Sequence, residues 1–172
     1  YDSAMPKLAA AKRAAATMAL EKARLDDQDL IGLISFNAQA SLVLPLSQLN
    51  THKSEVLTAI QKLTVGGGTD INAGLKMARD CFEWGTTDVV RRIVLLTDGQ
   101  GGHPLRTADD LKNRGVVIDT IGVGSDPCNV DETLLRKVAS VIDGENRYRF
   151  IKDTATLVNL HRELAAKTST GA

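Results

Sequence analysis

The chain has 172 residues, of which 43% are hydrophobic and 24% charged, a composition that fits one folded domain and excludes a wholly disordered polypeptide. Lys and Arg together number 21, as do Asp and Glu, and aromatic residues make up 3%, so neither a basic field nor stacking platforms favour nucleic-acid binding. No apolar run approaches the roughly 18 residues that span a bilayer, which argues against membrane insertion.

The first predicted elements are a helix and two strands. Apolar residues recur at steps of three and four over residues 6–25, which predicts a helix with Pro6 in its first turn. The nearly continuous apolar run from Leu30 to Phe36 predicts a strand buried on both faces. A three-residue link leads to a strand over residues 40–46, and Pro45 restricts that strand to a sheet edge. We therefore expect one antiparallel edge strand.

Helices and strands alternate through the rest of the chain. We predict helices over residues 51–63, 70–84, 106–113, 131–142 and 153–166, and strands over residues 92–97, 116–123 and 147–152. Strands separated by helices of this length form right-handed βαβ units. The predicted fold is therefore α/β: a doubly wound, mostly parallel sheet with helices on both faces. In such sheets the ligand site lies beyond the carboxyl ends of the strands.

Two residues near these ends are candidate ligands. Asp98 directly follows the predicted strand 92–97 and precedes a glycine, a position that suits a functional carboxylate and equally an ordinary turn. Thr69 lies between the glycine-rich loop 66–68 and a predicted helix, where it is either a ligand or the helix N-cap. A carboxylate and a hydroxyl on converging loops suit a hard cation such as Mg²⁺.

The order and spacing of these segments resemble von Willebrand factor A domains. The run from Gly67 to Leu75 is similar to the family's second metal loop, and the run from Ile93 to Gln100 is similar to the third. Residues 30–36 and 121–124 resemble the family's second and fifth strands. The resemblance extends over residues 8–164.

The resemblance implies a non-catalytic recognition function. Thr69 and Asp98 match metal-binding positions of the family's metal-ion-dependent adhesion site, where Mg²⁺ is held partly through water. An acidic side chain of a protein partner, Asp or Glu, completes the shell of the metal. His103 follows the third loop and is a candidate for contact with a bound ligand. The residues expected to shape the loops are Gly68, Asp70 and Gly99.

The chain departs from the family at the first metal loop. That loop has the pattern Asp-x-Ser-x-Ser after a first apolar strand, and this sequence contains neither. The resemblance places the absent strand between residues 30–36 and 92–97, where unpaired buried backbone groups cost roughly 1 to 3 kcal/mol each. We therefore expect a von Willebrand factor A-like domain over residues 1–166 without its first strand, a tail at 167–172, an incomplete metal site, and a longer parent polypeptide.

Other classes of function have weaker support. Leu75 stands where a phosphate-binding loop has lysine, and Pro127 occupies the third glycine position of a dinucleotide fingerprint, which disfavours a nucleotide-binding enzyme. The sequence has no Gly-x-Ser-x-Gly elbow and no HExxH motif, so it indicates no reaction. The main alternative is a metal-independent scaffold with a degenerate site. Cys81 and Cys128 lack CxxC spacing, which favours a reducing, cytoplasmic compartment over secretion.

Overall fold

The computed structural model of the protein describes residues 4–25, 28–64 and 66–152. It confirms a mixed α/β fold in which helices accompany a parallel sheet and antiparallel pairing is also present. The described residues fall into two compact units, of which the first contains residues 4–25, 28–35 and 42–64 and the second contains residues 36–41 and 66–152. No described helix is both long and apolar enough to cross a membrane.

The first unit combines two helices with most of a two-stranded sheet. Its elements are α1 (Ala4–Leu25), β1 (Leu30–Phe36), β2 (Ala40–Gln48) and α2 (Leu49–Gln61). The core of this unit consists of buried and half-buried apolar side chains from all four elements: Ala15, Ala19, Ile31, Leu33, Leu44, Leu49, Val56 and Ile60. The helical periodicity predicted for α1 is confirmed, because one face of small side chains packs in this cluster.

Two expectations for the first unit need correction. β1 has the predicted bounds but is not buried on both faces, since Leu30 is 58% exposed; among the described residues only β2 pairs with this strand. α2 begins at Leu49, before the predicted start at residue 51. The Leu49 side chain is fully buried, and the Leu49 N–H donates to the carbonyl of Asp29 at 3.0 Å. These tertiary contacts favour a helix that begins at this residue.

A three-stranded parallel sheet forms the centre of the second unit. The strand order is β3–β4–β7, with β3 (Arg92–Thr97), β4 (Val117–Val123) and β7 (Tyr148–Ile151). The helices of this unit are α3 (Ile71–Cys81), α4 (Leu105–Asn113) and α5 (Glu132–Val138). Fully buried residues from the helices and from β4 fill the core: Ile71, Leu75, Leu111, Ile118, Leu135 and Val138. Thr97 pairs with Gly122, so the carboxyl ends of β3 and β4 lie side by side.

β3 has the apolar sequence of an interior strand. Residues Ile93, Val94, Leu95 and Leu96 are all apolar, as in strands covered on both sides. β4 pairs with one edge of β3, whereas β1 belongs to the separate two-stranded sheet. The described residues therefore do not form one continuous sheet from β2 to β7.

The helix predicted over residues 131–142 is too long. α5 ends at Val138, because the Ser140 N–H donates to the Ile118 carbonyl at 2.8 Å and the Ser140 hydroxyl accepts from the Ile118 N–H at 2.9 Å. These bonds to β4 take the chain out of the helix. A short antiparallel hairpin follows, made of β5 (Val141–Ile142) and β6 (Glu145–Asn146).

The helix predicted over residues 70–84 also ends early. α3 stops at Cys81, where Phe82 adopts extended backbone angles and packs on the core. Trp84 then folds back, with its Nε1–H donating to the Arg79 carbonyl at 3.1 Å. The predicted helix over residues 153–166 and the tail over 167–172 lie outside the described residues.

The amino half of the parallel sheet contains a buried ionic cluster. Asp119 of β4 is 1% exposed and accepts hydrogen bonds from Arg147, at 2.7 Å, and from Arg92. Both arginine side chains are largely buried. The cluster joins three segments of the sheet at the end opposite to the carboxyl ends of its strands.

Candidate metal centre

Asp98 lies in a tight turn at the carboxyl end of β3. Its Oδ1 accepts a hydrogen bond from the Gln100 N–H at 3.2 Å, and the Thr97 hydroxyl accepts one from the Gly99 N–H at 3.1 Å. The Asp98 carbonyl accepts from the Asp131 N–H at 3.0 Å, which anchors the turn to the start of α5. The turn function considered for Asp98 is therefore present. A carboxylate has about four lone-pair sites, so a turn bond and metal binding are compatible functions of one such side chain.

Gly99 makes the turn possible. Its φ is +79°, a backbone conformation that residues other than glycine rarely adopt. A Cβ on Gly99 would lie 3.0 Å from the Leu135 Cγ and 3.1 Å from the Asp131 carbonyl oxygen. The start of α5 thus packs directly against the turn that carries Asp98.

The loop before α3 is held by the connection between β1 and β2. The Asp70 N–H donates to the Asn37 carbonyl at 2.6 Å, and the Ala38 N–H donates to the Gly67 carbonyl at 3.3 Å. Gly68 lies against Ala38, to which a Cβ would come within 3.3 Å. These backbone contacts fix the path of the loop immediately before Thr69.

The N-cap of α3 is Asp70 and not Thr69. The Asp70 carboxylate accepts from the Ala73 N–H at 3.2 Å, as an N-cap side chain does. The capping alternative considered for Thr69 is therefore wrong, because the cap is the next residue in the chain. Thr69 itself is half-buried.

The two loops converge. A Cβ on Gly101 would lie 2.0 Å from the Thr69 carbonyl oxygen and 3.1 Å from the Thr69 Cβ, so the backbones touch with no room for a side chain. A Cβ on Gly102 would lie 2.6 Å from Oδ1 of Asp70. The segment that follows Asp98 therefore lies directly on Thr69 and Asp70. His103, the next residue, is exposed.

The loop after β4 adds a further carboxylate at the carboxyl end of the sheet. Asp126 is exposed, and its Oδ1 accepts from the Cys128 N–H at 2.8 Å. That hydrogen bond lowers the pKa of Asp126, while the same carboxylate raises the pKa of the Cys128 thiol. Gln100 links this loop to the Asp98 turn, since its Nε2–H donates to the Asn129 carbonyl at 3.3 Å.

The side chains of Asp98 and Thr69 agree in type with the ligands of a hard cation. Asp98 offers a carboxylate and Thr69 a hydroxyl, and Mg²⁺ commonly binds through one or two carboxylates while it keeps several waters. The second carboxylate, on Asp70, is engaged as the helix cap. Among the described residues there is no group of three or more His, Cys, Asp and Glu side chains that could hold a metal. A cation here would depend on water or on an outside ligand for most of its shell.

Several residues of this region were not predicted as part of the site. The Asn37 carbonyl accepts a hydrogen bond from the Asp70 N–H. The side chain of Asn72, in the first turn of α3, accepts one from the Thr107 hydroxyl, in the first turn of α4. Asn37 had a sequence signal, since it directly follows the apolar strand β1. The Asn72–Thr107 bond had none, because it depends on how two helices pack.

A family model and known proteins agree with this fold. A model of the von Willebrand factor type A domain matches residues 7–163. An uncharacterized protein of Synechocystis is 28% identical over 151 residues, which are 85% of this chain and 34% of that protein. An uncharacterized protein of Escherichia coli is matched over 22% of its length, so the chain spans about a third or less of these curated relatives.

Two similar solved structures contain metals. Proximal thread matrix protein 1 from the mussel byssus, with a zinc-occupied MIDAS motif, has a TM-score of 0.71 and 22% identity and covers 94% of this chain and 42% of that one. Manganese-loaded TRAP protein of Plasmodium vivax has a TM-score of 0.65 and 19% identity and covers 88% of this chain and 64% of that one. At these identities the likeness shows a shared fold.

Proposed function

The chain belongs to the family of von Willebrand factor type A domains, and we propose that it is a non-catalytic protein-recognition module with a Mg²⁺ site at Asp98 and Thr69. An Asp or Glu side chain of a partner protein would complete the shell of the metal. In this proposal Gly68, Asp70 and Gly99 hold the loops in shape, and the exposed His103 would contact a bound partner.

The observation that carries the proposal is the contact between the two loops. The Gly101 backbone lies so close to the Thr69 carbonyl that a Cβ would come within 2.0 Å of it. Asp98 is three residues before Gly101, in a turn anchored to α5. Because both loops are anchored to regular elements, the carboxylate of Asp98 and the hydroxyl of Thr69 belong to backbone segments that converge in this fold.

The residues of the chain have separate tasks in this proposal. Asp98 supplies negative charge to a dication, while the Gln100 N–H orients its carboxylate. Thr69 supplies a neutral oxygen, so the two proposed ligands together neutralise only one of the two charges of a bound dication. A bound Mg²⁺ provides the Lewis acidity that attracts a carboxylate. The zinc and manganese sites of the two structural neighbours support a divalent cation in this fold.

Titration with Mg²⁺ tests the metal site. If Kd is about 1 mM, then 10 mM Mg²⁺ stabilises the native state by about 1.4 kcal/mol, which raises Tm by roughly 3–6 °C. Asp98→Asn keeps an acceptor for the Gln100 N–H but removes the charge, so we expect this variant to lose the shift. Thr69→Val should weaken the shift and Thr69→Ser should keep it. Asp109→Asn, at an exposed carboxylate of α4, is the charge control.

Isothermal titration calorimetry with MgCl₂ gives the affinity of the same four variants directly. An Asp98→Asn chain that binds Mg²⁺ as tightly as the wild type would refute the assignment of Asp98. An array of peptides with Asp or Glu, each beside its Asn or Gln counterpart, tests recognition. We expect acidic peptides to bind in Mg²⁺ and to be released by EDTA, and binding that ignores both the charge and EDTA contradicts a metal-mediated contact.

The second candidate function is a metal-independent scaffold. It is favoured by the absence, within the described ranges, of three clustered metal-binding side chains, and by the use of the Asp70 carboxylate as a helix cap. A scaffold predicts the same Tm in 10 mM Mg²⁺ and in EDTA. It also predicts that Asp98→Asn changes stability alone, through the turn.

A further inference from the structure

A hydrogen bond ties together the two helices that begin next to the candidate metal loops. The Thr107 hydroxyl in the first turn of α4 donates to Oδ1 of Asn72 in the first turn of α3 at 2.6 Å. Thr107 is 7% exposed and Asn72 is half-buried, so water competes little for either group. Asn72 follows Thr69 by three residues, and Thr107 is reached from Asp98 through the glycine-rich segment.

The segment between Asp98 and Thr107 is anchored at both ends. At its start, the Asp98 carbonyl accepts from the Asp131 N–H. In its middle, Gly102 lies on the beginning of α3, where a Cβ would be 3.3 Å from the Ile71 nitrogen. At its end, Thr107 is bonded to Asn72. The distance between the Asp98 turn and the Thr69 loop therefore depends on the last of these contacts as well as on the first.

We propose that Thr107 and Asn72 are positioning residues: their hydrogen bond fixes the spacing of the Thr69 and Asp98 loops and thereby sets the affinity for Mg²⁺. The inference rests on the proposed function, but neither residue binds the metal. They act as outer partners that hold the ligand-bearing segments in place, and loss of such partners weakens metal affinity. Without the bond, α4 and the loop before it can move away from α3, and the two ligands separate.

Thr107→Val tests the inference, because it removes the hydroxyl and keeps the shape of the side chain. We expect Mg²⁺ to bind about fivefold more weakly, the factor that corresponds to loss of about 1 kcal/mol. Thr107→Ser restores the hydroxyl and should bind like the wild type. Ser140→Ala is the control, since it removes a different buried hydroxyl, which accepts a hydrogen bond from the Ile118 N–H at the amino end of β4.

Calorimetric titration with MgCl₂ and amide hydrogen exchange of residues 99–102 are measured on the same four proteins. Weaker binding and at least fivefold faster exchange in Thr107→Val, with neither change in Ser140→Ala, support the positioning role. Equal affinity of Thr107→Val and wild type overturns it, as does an equal loss in Ser140→Ala. If the wild type binds no Mg²⁺, the proposed function fails, and hydrogen exchange alone decides: unchanged exchange in Thr107→Val overturns the coupling of the two loops, and faster exchange supports it.

Discussion

Replacing Gly101 with alanine adds one methyl group at the point where the two candidate metal loops meet. The new Cβ would lie 2.0 Å from the Thr69 carbonyl oxygen, and Cβ atoms essentially never come within 3.0 Å of a heavy atom to which they are not bonded through the chain. The backbone of one loop must therefore move by roughly 1 Å. Gly101 also has φ +127°, a value that alanine adopts only under strain.

The two costs can be estimated separately. A residue forced into a backbone region that glycine alone populates costs about 1–3 kcal/mol, and overpacking typically costs about 1–3 kcal/mol. We therefore expect Gly101→Ala to lower the free energy of unfolding by about 3 kcal/mol or more. For a chain of this length the corresponding fall in Tm is roughly 6–12 °C. Mg²⁺ affinity should fall as well, because the displacement separates Asp98 from Thr69.

Two other glycines provide matched controls in thermal melts. Gly115 has φ +83° but nothing within 4 Å of a Cβ, so Gly115→Ala measures backbone strain without crowding and should cost about 1–2 kcal/mol. Gly85 has neither strain nor a neighbour, so Gly85→Ala should change stability by less than about 0.5 kcal/mol. If Gly101→Ala melts at the same temperature as Gly115→Ala, the close contact with Thr69 is absent in solution and the convergence of the loops is refuted.

Two further predictions concern buried groups of the parallel sheet. Asp119→Asn removes the buried negative charge that both Arg92 and Arg147 contact, so we expect a loss of about 3–5 kcal/mol in urea unfolding. Asp80→Asn, at an exposed pair, should cost less than about 1 kcal/mol; equal losses would contradict the burial argument. Burial raises the pKa of the Tyr148 phenol above its ordinary value of about 10, so the folded chain holds this proton more tightly and loses stability as pH rises through the raised pKa. Tyr148→Phe should lack that decline above about pH 10, the ordinary pKa of the phenol, and identical slopes for the two proteins would show that Tyr148 does not cause it.

Element bounds were predictable where one local signal dominates. β1 and β3 were predicted at their observed bounds, because each is a mainly apolar run with polar or charged residues at its ends. The region after α5 shows the opposite case. Apolar periodicity continues through Ile142, but Ser140 forms two hydrogen bonds with Ile118 of β4, and these bonds exist only in the tertiary structure.

A local signal for the hairpin after α5 was nevertheless present in the sequence. Asp143 and Gly144 have φ values of 52° and 80°, and Asp-Gly is a preferred pair for two-residue hairpin turns that require positive φ. Turn chemistry was the better guide here, because periodicity cannot distinguish a short apolar strand from the last turn of a helix.

The sequence predicted where Asp98 lies in the fold, but it did not predict the contacts that surround this residue. Asp98 could be found because carboxylates that follow buried parallel strands lie at the edge where ligands bind. The contact of Gly101 with Thr69 and the bond from Thr107 to Asn72 could not be found in this way. They join residues about 32 and 35 positions apart, and such pairs depend on the angle at which the elements pack.

Asp70 and Asp98 show why residue type and position do not by themselves assign a ligand. Each aspartate lies next to a glycine-rich segment and at the end of a regular element. Asp70 lies one residue before a helix, where its carboxylate reaches the Ala73 N–H and serves as the cap. Asp98 lies one residue after a strand, at the edge of the sheet where ligands bind, and its Oδ1 accepts a short-range turn bond from the Gln100 N–H. The direction of the chain relative to the regular element thus favours Asp98 as the ligand, and it predicts that Asp70→Asn, which keeps a capping acceptor, affects Mg²⁺ binding less than Asp98→Asn does.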